Sequence, residues 1–174
     1  MIDLLNNYTA FFSAMFGAII GGFLSWLTVR YNLNRQFSEN RKIQEYQERK
    51  QLLLALNSVG KEIEYNLIQL SAIRKNMVAE GMDFIDYKAS KMHNNLKMDK
   101  WEKHSDTIEI ENIPFLGQLQ AFYVNLSFEI NNQANSRERT DKQIDMGLEL
   151  SKKLKSLKTD LEIEVLRLHN KKEI

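Results

Sequence analysis

The sequence predicts an all-α protein, with a single N-terminal transmembrane helix followed by a cytoplasmic antiparallel helical bundle of about three long helices and a short irregular insert. Three observations lead to this prediction. A long stretch near the N-terminus has no charged side chain, apolar residues recur at three- and four-residue intervals through most of the remaining chain, and there is one proline. The predicted domains are 1–29 (tail and transmembrane helix), 30–50 (basic juxtamembrane helical stalk) and 51–174 (helical bundle).

The transmembrane helix is predicted over residues 8–29, YTAFFSAMFGAIIGGFLSWLTV, inside a longer uncharged stretch between Asp3 and Arg30. At a rise of about 1.5 Å per residue this segment reaches about 33 Å, enough to cross a hydrocarbon core of about 30 Å. A cleaved signal peptide is the competing interpretation. It is disfavoured because no lysine or arginine precedes the segment and no A-x-A-like cleavage site ends it.

The charges after the span predict its orientation. Four cations follow it against the single acid Glu39, and they are Arg30, Arg35, Arg41 and Lys42. By the positive-inside rule the C-terminal domain is cytoplasmic and the N-terminus lies outside. Trp26 and Tyr31 lie near the inner boundary, where amphipathic aromatic rings favour the headgroup region. We therefore expect Trp26, Arg30, Tyr31 and Arg35 to flank the membrane.

One half of the span carries small side chains and the other half carries bulky ones. The small side chains form two adjacent rows and include a GxxxG pattern from Gly17 to Gly21. Because small rows let helix backbones approach closely, we expect the span to form a homo-oligomer. Association with a different membrane protein and chance composition are the alternatives. The residues expected at the oligomer interface are Ser13, Ala14, Gly17, Ala18, Gly21 and Gly22.

Residues 37–80 are predicted as helical, with a solvated stalk up to about Lys50 and an amphipathic helix beyond it. Gly60 weakens this helix by about 1 kcal/mol relative to alanine. Asn66 lies close to the apolar stripe, either at a solvated edge or as a buried polar residue that fixes the register of a coiled coil. The apolar stripe consists of Leu52, Leu56, Val59, Ile63, Leu67, Leu70, Ile73 and Met77.

Residues 81–114 lack helical periodicity and are predicted as the irregular insert. Ala89–Leu96 is a candidate short helix, and the alternation over Thr107–Glu111 is typical of a short strand. The insert is also rich in lysine, which makes it a candidate cationic surface for an anionic ligand or the inner leaflet. The alternative is a solvated loop with Trp101 packed into the core. The candidate ligand-binding residues are Lys88, Lys91, Lys97, Lys100, Trp101 and Lys103.

Two more helices are predicted after the insert, each with an apolar stripe. Pro114 suits the start of the first, since its missing N–H would have no intrahelical partner there. Residues 131–140 are predicted as a turn or frayed junction, and Asp141 as the N-cap of the last helix. The carboxylates are predicted on outer helix faces, where burial and tuning of their pKa values are not expected.

Composition and motifs exclude several functions. Lysine and arginine total 24 against 23 for aspartate and glutamate, so the chain lacks the basic excess of a duplex nucleic-acid binder. The absence of cysteine removes disulfides and thiolate chemistry. A Gly-rich phosphate loop, a nucleophile elbow and an H-E-x-x-H motif are all missing, and the histidines show no metal-ligand spacing. We therefore expect no enzyme activity, no metal and no cofactor.

The segment from Trp101 to Asn131, a tryptophan followed by a leucine-rich helix with Tyr123, resembles uncharacterised bacterial membrane-anchored helical proteins. The resemblance implies a bacterial inner (cytoplasmic) membrane and carries no known activity. In architecture the chain is similar to small one-span effectors of antiphage defence, including those gated by cyclic oligonucleotides. Two alternative functions are therefore considered, the first of which is favoured. One is a membrane effector that binds a protein partner or an anionic nucleotide, and the other is a scaffold for a soluble enzyme or a larger membrane complex.

Overall fold

A computed structural model describes residues 2–86, 95–132 and 134–170, and within these ranges the chain is mainly helical. The all-α fold class is confirmed, with a short antiparallel strand pair added between helices. The elements follow along the chain as α1 (Ile2–Ala79), β1 (Phe84–Asp86), α2 (Asp99–Ile110), α3 (Leu116–Asn132), β2 (Ala134–Ser136) and α4 (Arg137–Asn170).

The chain divides into two compact units, Met1–Glu45 and Tyr46–Ile174, and α1 contributes to both. In the first unit the described side chains from Phe12 to Val29 are all exposed, including the large apolar ones. Among the described residues α1 is the one helix long and apolar enough to cross a membrane, and no part of its apolar window is buried. This exposure differs from a soluble core helix, which would bury such a window within its own domain.

The core of the second unit is formed mainly by α1, α3 and α4, each through one apolar face, and Ile108 of α2 adds to it. On α1 the buried positions recur at three- and four-residue spacing, as the sequence predicts, because this spacing keeps them on one side of the helix. Leu119 and Leu126 of α3 and Leu150 and Leu154 of α4 pack into the same cluster. Complete burial of a large aliphatic side chain contributes about 1.5–3 kcal/mol relative to its exposure. The core residues contributed by α1 are Leu52, Ala55, Leu56, Val59, Ile63, Leu67 and Leu70.

Ion pairs show that α1 and α4 run in opposite directions within the second unit. Arg49 pairs with Glu164 at 3.3 Å, and Arg74, further along α1, pairs with Asp141, nearer the start of α4. These side chains are a third to a half exposed, so each pair contributes no more than about 1 kcal/mol. The pairs therefore align two helices that apolar burial holds together.

The strand predicted over Thr107–Glu111 is wrong, because these residues lie in α2 and the turn after it. Strand alternation would place Ile108 and Ile110 on the same face, but Ile108 is fully buried and Ile110 is 82% exposed. The insert predicted as irregular thus contains a fourth helix within the described residues. The candidate short helix Ala89–Leu96 lies mostly outside the described residues, which resume at residue 95.

The turn predicted over residues 131–140 is also wrong over part of its length. β2 pairs with β1 in antiparallel register, with Phe84 opposite Ser136. Helix α4 then begins at Arg137, and the Ser136 hydroxyl accepts the backbone N–H of Arg139 at 3.2 Å. Ser136 is therefore the capping residue instead of Asp141, which lies inside the helix and pairs with α1. Pro114 lies in the turn directly before α3, close to its predicted place.

Candidate functional site

Two polar side chains of α1 hold the segment that carries the described candidate lysines. Asn66 is completely buried and forms two hydrogen bonds with the backbone of Lys97. Its Oδ1 accepts the Lys97 N–H at 2.9 Å, and its Nδ2 donates to the Lys97 carbonyl at 2.7 Å. Asn66 is therefore neither a solvated edge residue nor free to pair with a second copy. It fixes the start of the α2 region onto α1 within the same chain.

Glu62, one turn before Asn66, binds the N-terminus of α2. Its Oε2 accepts the Lys100 N–H at 2.7 Å and its Oε1 accepts the Trp101 N–H at 3.0 Å. The N-cap residue Met98 supplies no side-chain hydrogen bond, so Glu62 satisfies donors that would otherwise lack a partner. A carboxylate is also favoured at the positive end of the helix dipole. Glu62 is only 5% exposed, which corrects the prediction that the carboxylates lie on outer faces.

Tyr123 of α3 completes this buried polar cluster. Its hydroxyl donates to Glu62 Oε1 at 3.0 Å, and burial, followed by the charge and hydrogen bond of Glu62, raises the pKa of Tyr123 well above its usual range. The phenol therefore remains a donor at physiological pH. Trp101 stacks on the Tyr123 ring with centroids 4.8 Å apart and planes 8° apart. One face of the half-buried Trp101 indole is thus covered by protein.

Three of the candidate lysines lie on the surface around this cluster. Lys97 Nζ lies 4.4 Å from the centroid of the Tyr65 ring, a cation–π contact, while Lys100 and Lys103 are exposed on α2. Asp99 and Glu102 occupy the first turn of the same helix, so the described segment carries a small positive excess. Lys88 and Lys91 lie outside the described residues. Chemically, the surface offers ammonium groups for an anion on a well-anchored backbone.

Two clefts in the second unit are lined by residues other than the candidate lysines. One, of about 380 Å³, is lined by residues around β1 and the start of α4, including Phe84, Arg137 and Asp141. The other, of about 290 Å³, lies between α1 and α4 and includes Arg74 and Ile144. Neither is lined by a candidate lysine.

The small residues predicted at the oligomer interface are all exposed, and space around them is open. A Cβ atom added at Gly17, Gly21 or Gly22 would meet nothing within 4 Å, so the chain itself leaves this face uncovered. Of the residues predicted to flank the membrane, Arg30 lies over the Trp26 ring, 5.2 Å from its centroid. Tyr31 is exposed. Arg35 forms an ion pair with Glu39 one turn later.

Glu129 is a second buried carboxylate that the sequence-based prediction missed. Its side chain is fully buried, and neither oxygen forms a hydrogen bond with a described residue. Burial raises the pKa of Glu129 to about 7, while Asn135 and Arg139 lie near enough to oppose this rise. Its position three residues after Leu126 continues the buried stripe of α3, and that spacing was the available signal. Within the described ranges no group of three acidic or histidine side chains forms a metal site.

Comparisons with protein-family models, with curated proteins and with solved structures find no match to this chain. The resemblance of Trp101–Asn131 to bacterial membrane-anchored helical proteins therefore stays a prediction. The residues of this chain and their contacts are therefore the basis for proposing a function.

Proposed function

We propose that this chain is a single-pass membrane protein whose span self-associates and whose helical C-terminal domain is a cytoplasmic module for a partner or signal. One observation carries the proposal. An uncharged helical segment long enough to cross a bilayer is fully exposed, and a separate helical unit with its own core follows it. Exposure of such an apolar surface to water is unfavourable, whereas lipid acyl chains would cover it.

The proposed location is a bacterial inner membrane, with the N-terminus outside and the second unit in the cytoplasm. Support comes from the cations that follow the span, beginning with Arg30 and Arg35. The contact of Arg30 with Trp26 suits a membrane boundary, where an indole ring lies among headgroups and a guanidinium reaches water. Anionic inner-leaflet lipids would favour the same cations by about 1 kcal/mol each.

Self-association is supported by the open face that contains Gly17 and Gly21. We expect the double substitution Gly17→Ile and Gly21→Ile to weaken association in membranes at least about tenfold, because β-branched side chains separate backbones that small residues let approach. A Cβ atom added at either glycine meets nothing within 4 Å in the chain itself, so we attribute a lost signal to a clash with the partner helix. A bacterial two-hybrid assay with C-terminal reporter fusions measures this effect, and its signal also requires a cytoplasmic C-terminus.

Phe16→Leu on the bulky face is the matched control, because Phe16 is exposed on the same helix but away from the small rows. It should leave the association signal near that of the unmodified chain. Equal signals from the unmodified chain, the glycine double variant and Phe16→Leu would mean that the span is a passive anchor.

The sharper proposal is an effector of antiviral defence, in which an anionic nucleotide binds the exposed lysines of the second unit. Glu62 and Asn66 support this assignment because they hold the backbone of Lys97, Lys100 and Trp101 in place. An anchored backbone reduces the entropy lost when a ligand binds. Ligand binding would then be transmitted to the oligomeric span, and this step separates an effector from a simple anchor.

We expect the full chain in detergent to gain thermal stability when a cyclic oligonucleotide is added, since a ligand selective for the folded state must stabilise it. The triple substitution Lys97→Glu, Lys100→Glu and Lys103→Glu should abolish this shift. Without ligand, the variant should melt close to the unmodified chain, because exposed substitutions usually cost within about 0.5 kcal/mol. The shift should also shrink as salt rises, since exposed charges are screened over about 10 Å at 0.1 M.

A charge-matched variant, Lys75→Glu with Lys142→Glu and Lys152→Glu, changes three exposed lysines elsewhere on the unit and should keep the ligand-induced shift. A full shift in the Lys97, Lys100 and Lys103 variant would place the ligand elsewhere. If no cyclic or linear oligonucleotide shifts the unmodified folded chain, the nucleotide proposal is wrong.

The second candidate function is a scaffold that anchors a soluble enzyme or larger complex at the inner leaflet. The observation that favours it is a set of large apolar side chains exposed on the second unit, among them Ile68, Ile110 and Val124. Apolar groups at a surface suit a protein partner better than a nucleotide. A protein that purifies with the chain, and that binds regardless of the Lys97, Lys100 and Lys103 charges, would favour the scaffold.

A further inference from the structure

Glu129 lies where α3, β2 and α4 meet, and its neighbours already bond with one another. The Asn135 amide donates to the Thr140 hydroxyl at 3.1 Å, and Asn135 Oδ1 accepts the Ser136 N–H at 2.9 Å. The Thr140 hydroxyl also contacts the Ser136 carbonyl at 3.1 Å. Asn135 and Thr140 are themselves buried. The Glu129 carboxyl group, neither of whose oxygens has a described hydrogen bond, is thus buried beside the hydrogen-bonded turn of Asn135, Ser136 and Thr140.

Arg139 of α4 is the cation whose charge acts on Glu129. Arg139 is exposed and lies over the ring of Phe128, 4.6 Å from the centroid. Other charges at this end form ion pairs, Arg74 of α1 with Asp141 of α4, Asp83 with Arg137, and Glu138 with Lys142, while Lys75 and Glu80 are exposed.

The charges of helix α2 lie away from Glu129. It contacts α3 through Trp101 at Tyr123, and its Glu109 bonds Gln120 near the opposite end of α3 from Glu129.

We propose that Glu129 is a proton-binding switch that couples the pH around the second unit to the packing of the α3–β2–α4 junction. With the proton bound, the neutral carboxyl group remains enclosed and the junction stays closed. When the proton leaves, a buried carboxylate is costly even with the Asn135 amide nearby, so it moves toward water and Arg139. That movement draws Arg139 from Phe128 and loosens β2 against β1. The proposal does not depend on the membrane or ligand functions above.

The sign of the pH dependence follows from burial. Glu129 has an ordinary pKa of 4.5 in the unfolded chain, whereas burial raises its pKa to about 7 in the folded chain. Between these values the folded chain binds more protons than the unfolded chain. The stability that Glu129 contributes is therefore fully present below the lower value, decreases as pH rises, and is lost above about pH 7. The upper end of this window lies near neutral pH, where a change in pH alters the fraction of chains in which Glu129 is protonated.

Infrared spectroscopy of the full chain in detergent tests the proton site directly. A protonated carboxyl group has a carbonyl stretch that an ionised one lacks, and exposed carboxylates with ordinary pKa values near 4 are already ionised above about pH 5.5. A titration from about pH 5.5 to about pH 8.5 should show a band lost with a midpoint near pH 7. Glu129→Gln should lack this band, and Glu138→Gln, which removes a nearby exposed carboxylate, should retain it. A band that persists in Glu129→Gln would overturn the assignment.

Arg139→Gln provides a second test that does not depend on whether Glu129→Gln folds. Arg139 favours the ionised carboxylate, so its removal should raise the band midpoint by up to about one pH unit. An unchanged midpoint would exclude Arg139 as the cation toward which the carboxylate moves. The coupling to packing is read by hydrogen exchange, corrected for the intrinsic pH dependence. Protection over residues 134–140 should fall above about pH 7 in the unmodified chain and not in Glu129→Gln. Protection independent of pH would overturn the switch.

Discussion

Replacing Glu62 with glutamine is expected to lower the free energy of unfolding of the second unit by about 3 kcal/mol. The Glu62 carboxylate accepts three hydrogen bonds, from the Lys100 N–H, the Trp101 N–H and the Tyr123 hydroxyl. Hydrogen bonds to a charged group contribute about 1.5–3 kcal/mol each. Glutamine retains one accepting oxygen, but it directs an NH₂ group at the remaining backbone donor and removes the charge at the α2 N-terminus.

Denaturant unfolding of the full chain in detergent measures this loss, with Glu64→Gln as the matched control. Glu64 lies two residues away on α1, is exposed, and pairs with Lys155 at 3.7 Å, so its substitution should cost within about 0.5 kcal/mol. If both variants unfold at the same denaturant concentration, the Glu62 hydrogen bonds do not stabilise α2. Tyr123→Phe combined with Glu62→Gln should cost less than the sum of the single changes, because the two side chains share a hydrogen bond.

Gly147→Ala is expected to destabilise the second unit by about 2 kcal/mol, although alanine favours a helix over glycine. A Cβ atom at position 147 would lie 2.7 Å from Leu67 Cδ2 and 2.9 Å from Phe122 Cε2. Both neighbours are buried in the core, so they move only by disturbing further packing. Overpacking of this kind costs up to about 3 kcal/mol, which exceeds the gain of about 1 kcal/mol from helix propensity.

Gly60→Ala is the control, and its expected effect has the opposite sign. A Cβ atom at Gly60 meets only Leu154 Cδ1, at an ordinary 3.9 Å, so the propensity gain of up to about 1 kcal/mol should be realised. The same denaturant experiment therefore compares two glycine-to-alanine substitutions in helices. A stabilised Gly147→Ala variant would mean that α4 and α1 lie further apart than the structure has them.

The long helices could be predicted from sequence because their stabilising contacts repeat locally. The spacing of Leu52, Leu56 and Val59 defines one face of α1 without knowledge of what covers it. Helix α2 could not be predicted in this way, since it is short, polar and capped by Glu62, which lies far from it in the sequence. The strand pair could not be predicted from local patterns either. Its three-residue strands depend on pairing between Phe84 and Ser136, which local patterns do not record.

The candidate site stays a prediction, but the contacts that hold its backbone can be compared with the sequence. The lysines of the insert stand out in the sequence, and Lys97, Lys100 and Lys103 do lie near one another along the chain. What holds them was missed, because Asn66 and Glu62 flank an apolar stripe where polar residues usually face water. Whether such a side chain is buried depends on a donor or acceptor from a distant segment. That information becomes available only in three dimensions.

The division of the core among α1, α3 and α4 has a consequence for the order in which the protein is made. Helix α1 leaves the ribosome first, yet Leu150, Leu154 and Leu161 of α4 belong to the last part of the described chain. Until α4 has emerged, the apolar face of α1 is only partly covered. The nascent domain therefore exposes apolar surface during synthesis, and it is prone to aggregation until the chain is complete.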